Sequence, residues 1–198
     1  MASSGPEPRR PSRAPVIALA VIGVAIVVAL AVAVPMLVAE DPVPSDLSAV
    51  RSYDDLSTHH TPDDVDYPQS PPVGGEHASE WLECGAYDVP VREENAVHDL
   101  EHGTVWISYA PDLGANDVAT LAALLPQNGI MAPYPGLDAP VVVTVWGRQL
   151  SLDGPDDSRL ELFVRTYGGG ETAPEPNVTC AGGIRDPEGG AGSSGTEV

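Results

Sequence analysis

Apolar positions follow two unlike patterns along this chain. From Val16 to Val34 they are continuous, without a charge or a strong polar group. With Pro35 to Ala39 the apolar stretch reaches the acidic pair Glu40-Asp41. About twenty such residues, rising 1.5 Å each, cross a hydrocarbon core of roughly 30 Å. Residues 15–39 are therefore expected to form a transmembrane helix. Arg9, Arg10 and Arg13 precede it, and the next basic residue is Arg51. The positive-inside rule then makes residues 1–14 a cytoplasmic tail and puts everything after the span outside the cytoplasm. A cleaved signal peptide is the alternative, with Ala31-Val32-Ala33 as the small-x-small site. That site lies within the apolar run instead of at its polar edge, which favours a retained single-pass anchor in the cell membrane.

Beyond the span the pattern becomes periodic. Residues 40–66, rich in Asp, Ser, Pro and Thr without sustained apolar periodicity, read as a flexible linker. Residues 183–198, mostly Gly, Ser and acidic side chains, read as a disordered tail. Between them, 67–182 is the length of one small domain. Thr104 to Tyr109 is β-branched and aromatic and predicts a strand. Val118, Leu121, Ala122, Leu124 and Leu125 recur at helical spacing, with Asn116 as a cap and Pro126 and Gly129 as a stop. Ile130 to Pro133 and the apolar run Val141 to Trp146 predict strands, with Leu150 to Leu152 pairing back as a hairpin. Asp156-Asp157 opens a second helix carrying Leu160, Leu162, Phe163, Val164 and Tyr167. The order β-α-β-β-α predicts an α+β sandwich, two helices covering one face of a sheet. Residues 67–95 fit neither period, and their prolines and glycines predict a long irregular loop, of the kind that often carries function.

Charge narrows the partners. The chain has 29 acidic residues against 9 basic ones, all arginine, for a net charge of −20. Such a surface repels nucleic acid and anionic lipid headgroups and attracts cations. The membrane is then met only through the chain's own anchor. Cys84 and Cys180 are the two cysteines, both beyond the span, and an even count in an oxidising compartment reads as one disulfide. Closing a loop of nearly a hundred residues stabilises by about 4–5 kcal/mol in the chain-entropy model. The rival reading makes Cys84 a thiolate ligand beside His77.

Candidate chemistry concentrates in Asn95 to Tyr109. His98, Glu101 and His102 fall within five residues, and on a helix the two histidines share a face. Neutral imidazoles with a carboxylate are what a transition metal requires. If the segment is extended, His98 and His102 share one side and Glu101 faces the other. His-x-x-Glu-His also has the order of the inverted zinc-protease motif, but that motif needs a long helix, and here Gly103 and a β-like run follow at once. His77, on a loop preset by prolines and turned by Gly74-Gly75, can supply a third ligand. His59-His60, on the linker, read as incidental. Metal-free, Glu101 would instead pair with Arg148 or an imidazole N–H. No nucleophile elbow, phosphate loop or Cys-x-x-Cys is present, and no catalytic residue is assigned.

The segment Tyr67-Pro68-Gln69-Ser70-Pro71-Pro72-Val73-Gly74-Gly75-Glu76-His77 is followed by Trp81, Cys84-Gly85, Tyr87 and Glu94. Then come Val97-His98, Leu100-Glu101-His102-Gly103, Pro133-Tyr134-Pro135-Gly136 and Trp146-Gly147. Together they resemble the DUF3105 family over about residues 60–182. The resemblance implies a membrane-anchored bacterial cell-surface protein and carries no activity with it. Function is left to the residues. The expectation is an extracytoplasmic domain binding copper or zinc through His77, His98, His102 and Glu101. The alternative is a metal-free structural or interaction module of a cell-envelope complex, recognisable by an exposed apolar patch.

Overall fold

The computed structural model describes residues 46–189. The expected cytoplasmic tail and membrane span, and the tail beyond Gly189, lie outside these residues. Among those described, no helix is long and apolar enough to cross a membrane.

The strands form a six-stranded mixed sheet. In chain order its strands are β1 (Arg51–Ser52), β2 (Gly85–Ala86), β3 (Val105–Tyr109), β4 (Gly129–Pro133), β5 (Val141–Val145) and β6 (Arg148–Leu152). The helices are α1 (Glu93–Glu101), α2 (Ala115–Leu124) and α3 (Arg159–Tyr167). Across the sheet the order is β1-β6-β5-β3-β4-β2. β4 runs parallel to both β3 and β2, whereas β3-β5, β5-β6 and β6-β1 are antiparallel. The parallel pair β3-β4 requires a crossover, which α2 supplies.

Because successive side chains point to opposite faces, the register sorts the sheet into two sides. Ile107 sits beside Met131 and Val143, and Val143 beside Leu150. These four join Val105, Val141 and Leu152 with Leu121 of α2 and Leu160 and Phe163 of α3 in one buried aliphatic cluster. This is the expected face covered by two helices, but three strands, β4 to β6, lie between those helices along the chain instead of the two in the expected order, and α1 is a third helix. Residue Trp106 points the other way, next to Ile130 and Thr144. That second side is covered by α1 and the proline-rich loop, in a smaller cluster with Leu82, Ala96, Val97, Leu100 and Trp146.

Several boundaries differ from the expected ones for local reasons. α2 starts after Gly114 with no side-chain cap. α3 starts at Arg159, and the Asp157 carboxylate accepts the Arg159 backbone N–H at 3.0 Å. The stretch expected to stay irregular up to residue 95 instead contributes β2 and the start of α1, and the His98 to His102 segment resolves as helix, α1 having nine residues with Glu94 to Glu101 all buried.

The segment read as a linker is packed from residue 46 onward. Leu47 and Val50 lie against the aliphatic cluster, Leu56 against the second one, and β1 extends the sheet. Three apolar side chains spaced so widely leave no periodicity to read. At the other end Ile184 bridges to Leu82, and Pro187 O accepts the Arg92 N–H at 2.7 Å, so the order persists to Gly189. Cys84 and Cys180 form a disulfide with Cα atoms 4.9 Å apart, which removes the reading of Cys84 as a metal ligand.

Candidate metal centre

α1 is short because of Gly103. That residue has φ +85°, and a Cβ there would lie 2.9 Å from the Gly170 backbone. Left-handed backbone after the last helical turn is a C-terminal stop suited to glycine. His98, Glu101 and His102 therefore occupy the final turn and its cap, where the helix's unpaired carbonyls give a negative partial charge that favours cations.

His77 reaches the same place from the proline-rich loop. At Gly74 the φ of +140° permits the turn, and a Cβ would lie 3.1 Å from the Trp146 ring and 2.8 Å from Leu56 Cδ1. The loop thus presses flat on the sheet. His77 is fully buried, its ring edge-on to Trp146 at 6.1 Å. His60 arrives by backbone pairing. The Thr61 N–H donates to His77 O at 2.7 Å, and the His77 N–H to His59 O at 3.1 Å. The His60 ring comes to 4.8 Å from that of His77 and stacks on that of His98 at 4.9 Å.

One donor atom from each of His60, His77, His98 and Glu101 lies within 4.8 Å of the other three. Proton bookkeeping shows what these atoms present. A backbone carbonyl can only accept, so His77 Nδ1–H donates to Gly75 O at 2.8 Å and His98 Nδ1–H to Ala78 O at 2.7 Å. In the neutral rings both Nε2 atoms are then bare lone pairs. His77 Nε2 faces Glu101 Oε2 at 2.9 Å, and His60 Nε2 lies 3.8 Å from that oxygen. A lone pair aimed at an ionised carboxylate at hydrogen-bonding distance is satisfied by a positive charge between them, a metal ion or a proton. Imidazoles whose far nitrogens donate to backbone carbonyls are the usual support of a metal site.

His98 is held neutral: burial lowers its pKa to about 4, its hydrogen bond to Ala78 opposes that, and the neighbouring histidines lower it further. Burial likewise lowers His102. Neutral imidazole is the form that ligates.

The expected set was His77, His98, His102 and Glu101. The structure brings His77, His98 and Glu101 together, adds His60, and puts His102 one step out. His102 Nε2 is 3.1 Å from His98 Nε2 and 3.7 Å from Glu175 Oε2. The buried Nδ1 of His102 has no hydrogen-bond partner among the described residues. Glu101 pairs with His77, not with Arg148, which instead donates to the carbonyls of Gly147 and Tyr53. His60 was missed because backbone pairing with His77, seventeen residues away, positions it. The only signal for it was the doublet His59-His60 itself.

The molecule is thus a small disulfide-closed α+β domain with a histidine–carboxylate cluster on the polar side of its sheet, buried at His77, His98 and Glu101 and exposed at His60. The chain belongs to the family described as "Protein of unknown function (DUF3105)", whose model matches residues 59–182. That span includes every donor of the cluster and both cysteines. No curated protein and no solved structure matches the chain.

Proposed function

We propose that this protein is a metal-handling domain tethered outside the cytoplasmic membrane, holding one copper or zinc ion through His60, His77, His98 and Glu101. The observation that carries the reading is the facing pair His77 Nε2 and Glu101 Oε2, 2.9 Å apart in a buried place, a gap that a metal ion or a proton fills. An imidazole-rich set with one carboxylate and no thiolate suits Cu(II) or Zn(II). The acidic surface raises the local concentration of cations. The tether rests on the apolar run at residues 16–39 and the arginines before it. Four protein donors describe a holding site rather than an open catalytic one, so no catalytic residue is assigned.

The rival reading, a metal-free module docking in a cell-envelope complex, predicts an exposed apolar patch. Among the described residues the exposed large hydrophobics are Val89 and Val178, which does not favour it.

The test is metal content and Cu²⁺ and Zn²⁺ affinity of the purified full-length chain in detergent. The expected result is one ion per chain, with affinity reduced about a hundredfold or more in His77→Ala and His98→Ala. A folded wild type that takes up neither ion overturns the proposal and assigns the cluster to a proton shared between His77 and Glu101.

A further inference from the structure

The donors do not end at the four-residue cluster. Glu175 Oε2 lies 3.7 Å from His102 Nε2, and His102 Nε2 lies 3.1 Å from His98 Nε2. Two ligands each about 2.0–2.2 Å from one zinc ion sit roughly 3–4 Å apart, so both steps have ligand-pair spacing. Exposure falls along the row: the Glu175 side chain is 60% exposed, that of His102 5%, and that of His77 0%. The backbone that carries the outer carboxylate is held beside the cluster, since the Glu175 backbone N–H donates to Glu101 O at 3.1 Å. The Trp81 indole, 5.1 Å from the His102 ring and 5.5 Å from that of His98, walls the row.

We infer that Glu175 and His102 form an outer cation step through which Zn²⁺ or Cu²⁺ enters and leaves the inner site, with His98 as the shared hand-over ligand. This rests on the metal-holding reading above. Glu175 draws the ion from solvent by charge, His102 strips part of its water, and His98 Nε2 accepts it next. When the ion sits inward, His102 turns its Nε2–H to Glu175.

A route differs from a ligand set in one measurable respect. By microscopic reversibility, damage to a route slows loading and release by the same factor and leaves the equilibrium between solution and inner site in place. The experiment uses the full-length chain in detergent with Zn²⁺ as probe. Loading is followed by stopped flow, and release by transfer to a fluorescent zinc chelator. Glu175→Gln, at an exposed position, and His102→Gln are compared with wild type.

Expected for Glu175→Gln is a loading rate about three- to tenfold lower with a shallower dependence on ionic strength. Release should slow to match, with little change in Kd. His102→Gln should slow both rates at least as much. Unchanged rates in both variants overturn the proposal. So does a weakened Kd with unchanged loading, which would make these residues inner ligands. Slowing in His60→Gln but not in Glu175→Gln overturns it by moving the entrance to the half-exposed His60. A wild type that binds no Zn²⁺ at equilibrium fails the holding site itself, and with it the route. The rates and the equilibrium titration separate these failures.

Discussion

The two sides of the sheet are both buried and could hardly be more different in content. One is filled by Val, Leu, Ile, Met and Phe under α2 and α3. The other contains Asn95, His98, Asp99 and Glu101 of α1, His102 at its C-terminal cap, His77 of the loop, and Ser108, Thr144 and Gln149 of the strands, all buried. Burying polar groups is costly unless each finds a partner. Many here do, through the irregular loop: Pro71 O accepts from Gln149, Glu80 O from Asn95, and Asp99 accepts the Leu82 N–H. The apolar side supplies cohesion that any well-packed sheet–helix layer has. The polar side costs stability to assemble and is therefore where a ligand has something to offer. The loop there is a set of backbone partners aimed at particular side chains.

The largest loss is expected on the apolar side. Phe163→Ala should destabilise by about 3–5 kcal/mol, read by denaturant unfolding, while the folded fraction keeps its metal stoichiometry. If binding falls in the folded protein, the two sides are not separable.

Next is the buried ion pair at the start of α3. The Asp157 carboxylate takes the Arg159 guanidinium from 2.5 to 3.1 Å away, besides the backbone N–H. Asp157→Asn should cost about 1–3 kcal/mol at pH 7. Burial raises the Asp157 pKa, but the hydrogen bonds and charge of Arg159 outweigh it and the net shift is downward. A depressed carboxylate stabilises above the unfolded value of 3.8 and loses that contribution as pH falls through its lower folded value. Wild type and variant should therefore converge in acid, and a gap that persists at pH 2 would refute the assignment.

A smaller effect sharpens the polar side. His98 titrates at about 4 in the folded protein against 6.5 for a free imidazole. A lowered base favours the fold above 6.5 and loses that advantage as pH falls toward 4. Chelator-stripped protein should lose on the order of 1 kcal/mol across that window, after allowance for solvent screening. The slope should flatten in His98→Gln. An equal slope in the variant would move the acid sensitivity elsewhere. The smallest effect is expected at the exposed i,i+4 pair Glu161–Arg165, 3.5 Å apart. Glu161→Gln should stay within about 0.5 kcal/mol by the same unfolding measurement, and a larger loss would mean that α3 depends on its solvent face.

The same contrast explains what could be read in the chain beforehand. Strands β3 to β6 and helices α2 and α3 were legible because burial on the apolar side writes an apolar run or period into the sequence. The polar side writes none. His98, Glu101 and His102 stood out by local spacing, and His77 by its place after two glycines. Residues up to 95 read as irregular loop and His98 to His102 stayed open between helix and strand, since the short apolar stripe Ala96, Val97 and Leu100 is interrupted by the buried Glu94, Asn95, His98, Asp99 and Glu101. His60 and Glu175 were invisible for another reason. Long-range backbone bonds to His77 and Glu101 put them beside the cluster, and such pairing leaves no mark in residue type.

The bridge between His60 and His77 also bears on how errors in the chain path are tolerated. A pairing this short, one bridge with two backbone hydrogen bonds, is the kind most prone to slip by a residue. A slip ordinarily exchanges an inward side chain for an unrelated neighbour. Here the neighbour on the N-terminal side is His59. A one-residue shift toward the C-terminus delivers an imidazole to the same spot, so the doublet makes the position tolerant of such a slip.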